Sequence, residues 1–132
     1  PIARKLAVIS DRWTKLVLEE AFRGVVNCEN FLNNLNISRS TLSARLSKFN
    51  YEGVLHKAVY NETPRRHSYH LTPAGQDLFS VAIMMFHWGE RWLFNADKAP
   101  YYLVHQTCKS KLRPIVVCST CGDEVSDREV EI

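Results

Sequence analysis

Two pairs of possible metal ligands lie near the end of the sequence. His105 and Cys108 are separated by two residues, as are Cys118 and Cys121, and nine residues lie between the pairs. A two-residue spacer lets both side chains of a pair face one tetrahedral ion, and Gly122 gives freedom in φ just after the second pair. Three thiolates and one imidazole would fill all four positions of Zn²⁺. The spacing therefore predicts a structural zinc site in a small ribbon.

Alternatives to a metal site stay open for these residues. Lys109 stands where a glycine would be more usual, which weakens the first pair as a zinc motif. The same stretch also suits a reduced appendage without metal, or a disulfide from Cys108 to Cys118 or Cys121, and thiolate ligands can be oxidised with loss of the metal. The fourth cysteine, Cys28, stands alone and is predicted to be a small buried side chain. Clustered cysteines without a secretory signal favour metal or redox chemistry over a disulfide framework.

Positive charge is concentrated in another stretch. The 132 residues have a net charge of only +3, and 45% apolar with 23% charged residues is an ordinary globular composition. Between positions 36 and 70, six cations stand against two anions, whereas positions 96 to 132 hold five cations and six anions. A local excess of this kind is what contacts to nucleic-acid phosphates require.

The basic stretch contains a predicted helix-turn-helix. Residues 38–52 predict an amphipathic helix, because Leu42, Leu46 and Phe49 share one face at helical spacing. A short helix over residues 28–35 and a two-residue link precede it. Small or polar side chains and one cation occupy the opposite face: Ser40, Thr41, Ser43, Ala44, Ser47 and Lys48. Such a surface suits a flat, hydrogen-bonding partner such as nucleic acid.

A hairpin with basic residues at its tip is predicted next. Residues 54–60 are rich in β-formers, and residues 67–71 alternate between polar and apolar side chains. The segment 61–66 between them contains a proline and the pair Arg65-Arg66, which suits an exposed loop. Two helices followed by a basic hairpin predict a mainly α fold with a small β-wing, the winged helix-turn-helix.

The elements around this motif predict a dimer and a separate tail. A first helix is predicted over residues 2–9, a second over residues 12–22, and a long helix from Pro73 to about Phe94 that is apolar on two faces. A second copy would cover one of those faces, although one compact core is the alternative. The predicted dimer interface comprises Ile2, Leu6, Phe79, Ile83, Phe86 and Trp92.

The expected domain boundary lies between residues 95 and 96. Residues 1–95 would form the domain for DNA binding and dimerisation. Residues 96–132 would form a short C-terminal β-rich, zinc-ribbon-like appendage, with strand-like segments at 101–104 and 112–117 and a weakly alternating end.

Several stretches carry a family resemblance. They are Pro1 to Arg4 with Ile9 to Thr14, Ile37-Ser38 with Leu42 to Leu46, Gly53 to Leu55 with Tyr60, Pro64 to Arg66 with Tyr69 to Gly75, and His87 to Trp92. In combination they resemble winged-helix transcriptional regulators of the HxlR type, relatives of the MarR group. The resemblance covers roughly residues 1–94. The chain departs from the family at Ser68, where an acidic residue is frequent. Many members use a cysteine near the start of the first helix for thiol sensing, and the first cysteine of this sequence is Cys28.

The resemblance implies a homodimer that binds double-stranded DNA. Each subunit would place helix 38–52 in a major groove and wing 61–67 on the backbone or in a minor groove, with half-sites related by the dimer axis. Hydroxyl groups on the helix would contact base edges, and the alanine would contact a thymine methyl group. The cations would contact phosphates. A solvated surface is the alternative. The predicted DNA-binding residues are Arg39, Ser40, Thr41, Ser43, Ala44, Arg45, Lys48, Arg65, Arg66 and His67.

Other functions and partners receive less support from the sequence. No nucleophile elbow, paired carboxylates or phosphate-binding glycine loop indicates an enzyme. A winged helix used for protein contacts within the transcription machinery, with a metal-binding tail, is the stronger rival. The family responds to aldehydes, quinones or other small molecules, so an effector is implied. Trp13, Phe86, Trp88 or Trp92 would line its cleft or simply form core. No apolar run suits a membrane, and we expect a cytoplasmic protein.

Overall fold

Local sequence signals define the helices of the computed structural model, which describes residues 11–93 and 102–132. α1 spans Arg12–Phe22, α2 spans Cys28–Leu35, α3 spans Arg39–Tyr51 and α4 spans Pro73–Trp92. The side chains of Asp11, Asn27 and Ser38 cap the first three by accepting the backbone N–H three residues later. These bounds confirm the predicted helices, whereas the predicted helix 2–9 lies outside the described residues.

The wing is a two-stranded antiparallel sheet. β1 spans Leu55–Glu62 and β2 spans Arg65–Leu71, with Leu55 opposite Leu71 and Glu62 opposite Arg65. The prediction of a loop over residues 61–66 was wrong, because cross-strand pairing continues through Glu62 and leaves only Thr63 and Pro64 in the turn. Both arginines of the tip therefore lie on β2 rather than in a loop.

One apolar core joins α1, α2, α3 and the base of the wing. The apolar side of α3 is fully enclosed, as predicted, and Phe31 of α2 is as deeply buried. Backbone pairing adds a short third segment to the wing, since the Tyr69 N–H donates to the carbonyl oxygen of Val26 at 2.8 Å. The buried apolar residues are Val17, Leu18, Ala21, Phe31, Ile37, Leu42, Leu46, Phe49, Val54, Leu55 and Tyr69.

A close backbone approach fixes the start of α4 against the start of β1. The Thr72 hydroxyl donates to the Gly53 carbonyl oxygen and accepts the Gly75 N–H at 3.0 Å. A Cβ atom on Gly75 would lie 2.2 Å from the Val54 carbonyl oxygen, which is too close for any side chain. Residue 75 therefore has to be glycine for α4 to begin where it does.

The chain divides into two compact units, one ending at Phe79 and one beginning at Ser80. In the tail, defined as residues 102–132, Val104 pairs with Lys111 and Val117 pairs with Glu124 as isolated bridges, and Asp127–Glu129 forms a 3-10 turn. The predicted strand over residues 112–117 is therefore wrong, because it finds no continuous partner. None of the described helices is long and apolar enough to cross a membrane.

Candidate nucleic-acid interface

The outer face of α3 presents short side chains to solvent. Ser40, Ser43 and Ala44 are exposed, and Thr41 is half-buried. The Ser38 hydroxyl accepts the Thr41 N–H at 3.2 Å and donates to the Thr41 hydroxyl at 2.7 Å. Ser38 is thus committed to starting the helix, and the Ser40 hydroxyl lies 3.4 Å from it, whereas the Ser43 hydroxyl and the Ala44 methyl group face solvent, where they could contact base edges. These residues lie together along one face, as predicted from the helical spacing.

Both arginines of α3 form ion pairs inside the protein. Arg39 lies 3.1 Å from a carboxylate oxygen of Glu29 on α2, in a pair that is largely exposed. Arg45 lies 3.1 Å from Asp11, and its side chain is 29% exposed. Arg39 can exchange its surface partner for a phosphate at little cost, because exposed pairs contribute only about 0.2–1 kcal/mol. Arg45, by contrast, ties α3 to the start of α1.

Asp11 combines a helix cap with this ion pair. Its partial burial alone would raise its pKa, but the Thr14 hydroxyl and N–H and the Arg45 guanidinium lower the pKa from 3.8 to about 2. The carboxylate therefore stays ionised at neutral pH, holding the N-terminus of α1 and the middle of α3 together. The contact with Arg45, 34 residues away, was not predicted from the sequence.

The wing presents two arginines to solvent. Arg65 and Arg66 are both exposed, and neither forms an ion pair with any residue in the described parts of the chain. Tyr60 is an extra residue on β1, because Val59 pairs with His67 while Asn61 already pairs with Arg66. Such a β-bulge increases the local twist and redirects the end of a hairpin. The bulge thus sets the direction in which the arginine pair projects.

Ser68 on β2 is a neutral residue at the position where the resemblance leads one to expect an acidic one. Ser68 is buried, and its hydroxyl lies 2.7 Å from Nε2 of His70, so this serine bonds to a neighbouring ring. Partial burial, together with Lys57 and Arg65, lowers the pKa of His67. The His67 Nδ1 atom is shielded from solvent and has no hydrogen-bond partner. A neutral His67 is therefore expected at physiological pH, as a contact surface rather than as a fixed cation.

Lys48 is half-buried in the last turn of α3, near the helix C-terminus. A cation at this end of a helix is favourable for the helix itself, because the terminal carbonyl groups carry partial negative charge.

Five of the predicted DNA-binding side chains are exposed and form no ion pair within the described residues. They are Ser40, Ser43, Ala44, Arg65 and Arg66.

The predicted dimer residues on α4 differ in exposure. Phe79 packs edge-on against Phe22 at a centroid distance of 5.4 Å, yet it is 49% exposed. Ile83 and Phe86 are half-buried, and Trp92 is 64% exposed with Arg91 over its ring. Ile2 and Leu6 lie outside the described residues. The described part of α4 therefore keeps a large apolar surface uncovered within one chain.

The predicted ligands of the tail are brought together only within each pair, since no three His, Cys, Asp or Glu side chains of the described residues stand around one point. The His105 Nδ1 atom is 3.4 Å from the Cys108 sulfur, and the Cys121 thiol donates to the Cys118 sulfur. The N–H of Ser110 lowers the pKa of the Cys108 thiol, and the N–H groups of Cys121 and Thr120 lower that of Cys118. Burial, in contrast, raises the pKa of Cys28. All four cysteines are free thiols.

The fold and this surface define a winged helix-turn-helix protein. The HxlR-like helix-turn-helix family model matches residues 8–97, and the chain belongs to this family of transcriptional regulators. Rv3095 of Mycobacterium tuberculosis, an HTH-type transcriptional regulator, is 38% identical over 129 residues, which are 98% of this chain and 82% of that protein. Curated relatives of this kind carry regulator names, which agrees with the prediction that the chain is not an enzyme.

Solved structures extend the similarity beyond the family model. The crystal structure of PA1607, a candidate transcription factor, has a TM-score of 0.83 and 28% identity, covering 100% of this chain and 92% of its own. The redox regulator HypR in its oxidised form has a TM-score of 0.61 and 26% identity, covering 69% of this chain and 95% of its own. The tail is thus shared with some relatives and lies outside the family model.

Sequence reasoning missed the residues that hold this surface in place. Glu20 is buried and accepts hydrogen bonds from the Asn34 amide at 2.8 Å and from Arg23 at 3.2 Å. A charged residue on the apolar side of α1 gave no local signal of its partner, because Asn34 lies 14 residues away. Gly75, by comparison, was recognisable, since a glycine at the third position of a helix is unfavourable without a packing reason.

Proposed function

We propose that the protein is a homodimeric regulator that binds specific sequences in double-stranded DNA. α3 enters the major groove, and the wing contacts the backbone or a minor groove. The observation that carries the proposal is the division of α3 into two faces. Leu42, Leu46 and Phe49 are essentially fully buried, whereas Ser40, Ser43 and Ala44 project into solvent from a helix that the core holds rigidly.

Different residues supply affinity and specificity in this proposal. Arg65 and Arg66 are long, exposed cations without ion-pair partners among the described residues. They therefore lose no existing ion pair there when they approach phosphates. Hydroxyls on α3 donate to or accept from base edges, and Ala44 contacts a thymine methyl group. Arg39 joins the phosphate contacts by leaving Glu29, and Arg45 acts indirectly by positioning α3.

The apolar surface of α4 supports the homodimer. Met85, Trp88 and Trp92 are 44%, 56% and 64% exposed within one chain. Large exposed apolar side chains on one helix are characteristic of interaction sites. A second copy of α4 covers them and places two α3 helices roughly 34 Å apart, one turn of DNA, for a palindromic operator. A regulator that binds DNA in this way would act in the cytoplasm, where its DNA would lie.

The decisive experiment is a salt titration of DNA binding. Binding sites are first selected from random duplexes, and affinity for the selected site is then measured by fluorescence anisotropy at several salt concentrations. Arg66→Ala should weaken binding to all duplexes and reduce the slope of log K against log salt by about 0.9, the value for one lost phosphate contact. Arg128→Ala removes the same charge from an exposed position in the tail and serves as the control.

The rival function makes the opposite prediction. A winged helix used for protein contacts would select no consensus and would bind duplex DNA only weakly at moderate salt. An unchanged slope in Arg66→Ala, with a clear consensus for the parent, would leave DNA binding intact but remove the wing from the interface. Sedimentation equilibrium of the free protein tests the homodimer separately.

A further inference from the structure

The tail contains the same turn twice, thirteen residues apart. In each copy the backbone closes through three hydrogen bonds of 2.7–2.9 Å, and a residue with positive φ follows the second of the two paired side chains. That residue is Lys109 with φ of 61° in the first copy and Gly122 with φ of 79° in the second. In the first copy the N–H groups of Leu112, His105 and Lys109 donate to the carbonyl oxygens of Leu103, Ser110 and His105, respectively. In the second copy the N–H groups of Val125, Cys118 and Gly122 donate to the carbonyl oxygens of Val116, Asp123 and Cys118.

Each turn also points backbone donors at sulfur. The Ser110 N–H donates to the Cys108 sulfur, and the N–H groups of Thr120 and Cys121 donate to the Cys118 sulfur. Amide donors of this type orient and stabilise thiolates that bind a metal. A turn that served only to reverse the chain would have no need to direct its amides at sulfur.

The first pair already has the separation of two ligands on one ion. A nitrogen at about 2.1 Å and a sulfur at about 2.3 Å from Zn²⁺ stand about 3.6 Å apart at the tetrahedral angle. The His105 Nδ1 atom is 3.4 Å from the Cys108 sulfur. A thiol–imidazole hydrogen bond has a similar length, so this distance supports a ligand pair only in combination with the second turn.

Apolar burial contributes little to the order of the tail, and the Lys111 ammonium lies 3.5 Å from a carboxylate oxygen of Glu90 on α4. None of the described residues 102–132 is buried, and Ile115, Val116 and Val117 are each about half exposed. All cysteines are free, so no disulfide holds the turns. Segments below roughly 40 residues usually need disulfides, metals or oligomerisation to be stable. Within the described residues no three His, Cys, Asp or Glu side chains stand together around one point, so the two turns have to close on the ion.

We propose that one Zn²⁺ ion joins the two turns through Nδ1 of His105 and the sulfurs of Cys108, Cys118 and Cys121. Four protein ligands leave no open position, so the site is structural rather than catalytic. Binding releases the thiol protons and draws the preformed turns together, which couples the folding of the tail to the metal. The site lies outside residues 8–97, which the family model matches, and it goes beyond the proposed DNA binding.

Metal analysis of the full chain tests the proposal. The protein is purified without a histidine tag, reduced, and titrated with Zn²⁺ or Co²⁺ alone. We expect about one ion per chain and the visible bands of tetrahedral cobalt thiolate. Cys118→Ser and Cys121→Ser should each weaken zinc binding by more than about 100-fold, since even second-shell partners cost 10- to 100-fold. Cys28→Ser, outside the tail, should bind zinc as the parent does.

A second measurement works without variants. Alkylation of Cys108, Cys118 and Cys121 is followed by peptide mass spectrometry with and without zinc, with Cys28 as the internal reference. Zinc should slow alkylation of the three tail cysteines by more than about 10-fold. The proposal is overturned by less than about a tenth of an equivalent of zinc in reduced protein, by zinc that persists in both tail variants, or by equal alkylation in both conditions.

Discussion

The N-terminal unit, which ends at Phe79, and the tail become ordered by different means. In the N-terminal unit, side chains such as Phe31 and Leu46 are completely enclosed by three helices and the wing. In the tail, a run of three β-branched residues, Ile115 to Val117, remains about half exposed, and order comes from two hydrogen-bonded turns. The difference shows that the helix-turn-helix motif is stabilised by its own apolar core, whereas the described part of the tail is ordered by local turns.

A pair of truncations tests this contrast with the largest expected effect. Phe49 is 1% exposed, so Phe49→Ala should lower the free energy of unfolding of the N-terminal unit by about 3–5 kcal/mol. Val116 is 51% exposed, so Val116→Ala should change stability by no more than about 0.5 kcal/mol. Urea titrations followed by the helical circular dichroism signal measure the effect of Phe49→Ala, and hydrogen exchange of the Cys118 N–H, which donates across the second turn of the tail, measures that of Val116→Ala. A comparable loss in Val116→Ala would mean that another surface covers the tail.

The second test asks whether backbone packing in the N-terminal unit is as tight as side-chain packing. Gly75→Ala places a methyl group against the Val54 carbonyl oxygen and should lower the free energy of unfolding by about 2–3 kcal/mol. This is the upper end of the usual range for overpacking, because neither backbone segment can move alone. Gly89→Ala, where no atom of the described residues lies within 4 Å of the added Cβ, should instead stabilise the dissociated monomer by about 0.5–1 kcal/mol through helix propensity. Equal effects at the two glycines would contradict the close approach.

The sequence predicted the elements whose signals are local. Asp11, Asn27 and Ser38 each cap a helix within one turn, so the bounds of α1, α2 and α3 were readable. The extent of the wing strands was not, because it depends on pairing between residues such as Asn61 and Arg66 that no single-strand pattern reveals. In the tail the apolar run was mistaken for a strand because β-propensity alone cannot supply a partner.

For the candidate site, the sequence predicted which residues face outward but not how they are held. The outer face of α3 followed from helical spacing, and the exposed arginine pair followed from the turn composition. The Arg45–Asp11 pair was not predictable, since contacts across 34 residues arise only from the packing of α1 on α3. The DNA contacts and the dimer interface themselves remain predictions.

The third test concerns the electrostatic link between α1 and α3. The folded pKa of Asp11, about 2, is below its unfolded value of 3.8, so its contribution to stability is present above pH 4 and lost as the pH falls towards 2. The depression corresponds to about 2.5 kcal/mol if fully expressed, and partial exposure reduces the expected effect to about 1 kcal/mol. Asp11→Asn keeps a capping side chain and removes the charge.

The pH profile distinguishes this effect from general acid destabilisation. The difference in unfolding free energy between the parent and Asp11→Asn should be about 1 kcal/mol at pH 7 and should vanish near pH 2. Asp77→Asn, on the exposed side of α4, is the control and should show a small difference at every pH. A deficit in Asp11→Asn that does not change with pH would contradict the electrostatic link, because the ionisation of Asp11 would then make no contribution to stability.

The smallest effect is expected at the position where the two turns of the tail differ. Lys109 and Gly122 both have positive φ, a conformation that costs a residue with a Cβ atom about 1 kcal/mol relative to glycine. Lys109→Gly should therefore stabilise the first turn by up to about 1 kcal/mol, and Gly122→Ala should destabilise the second by a similar amount. No atom of the described residues lies within 4 Å of a Cβ at Gly122, so the penalty there is conformational rather than steric.

The readout is hydrogen exchange of the His105 and Cys118 N–H groups, which donate across their own turns. A change of about 1 kcal/mol alters protection about 5-fold. Because the proposed ion would link the two turns, each substitution should change exchange in both turns when zinc is bound and in its own turn alone after chelation. Changes confined to one turn in both conditions would show that the two copies are ordered independently, which would separate the repeat from the metal.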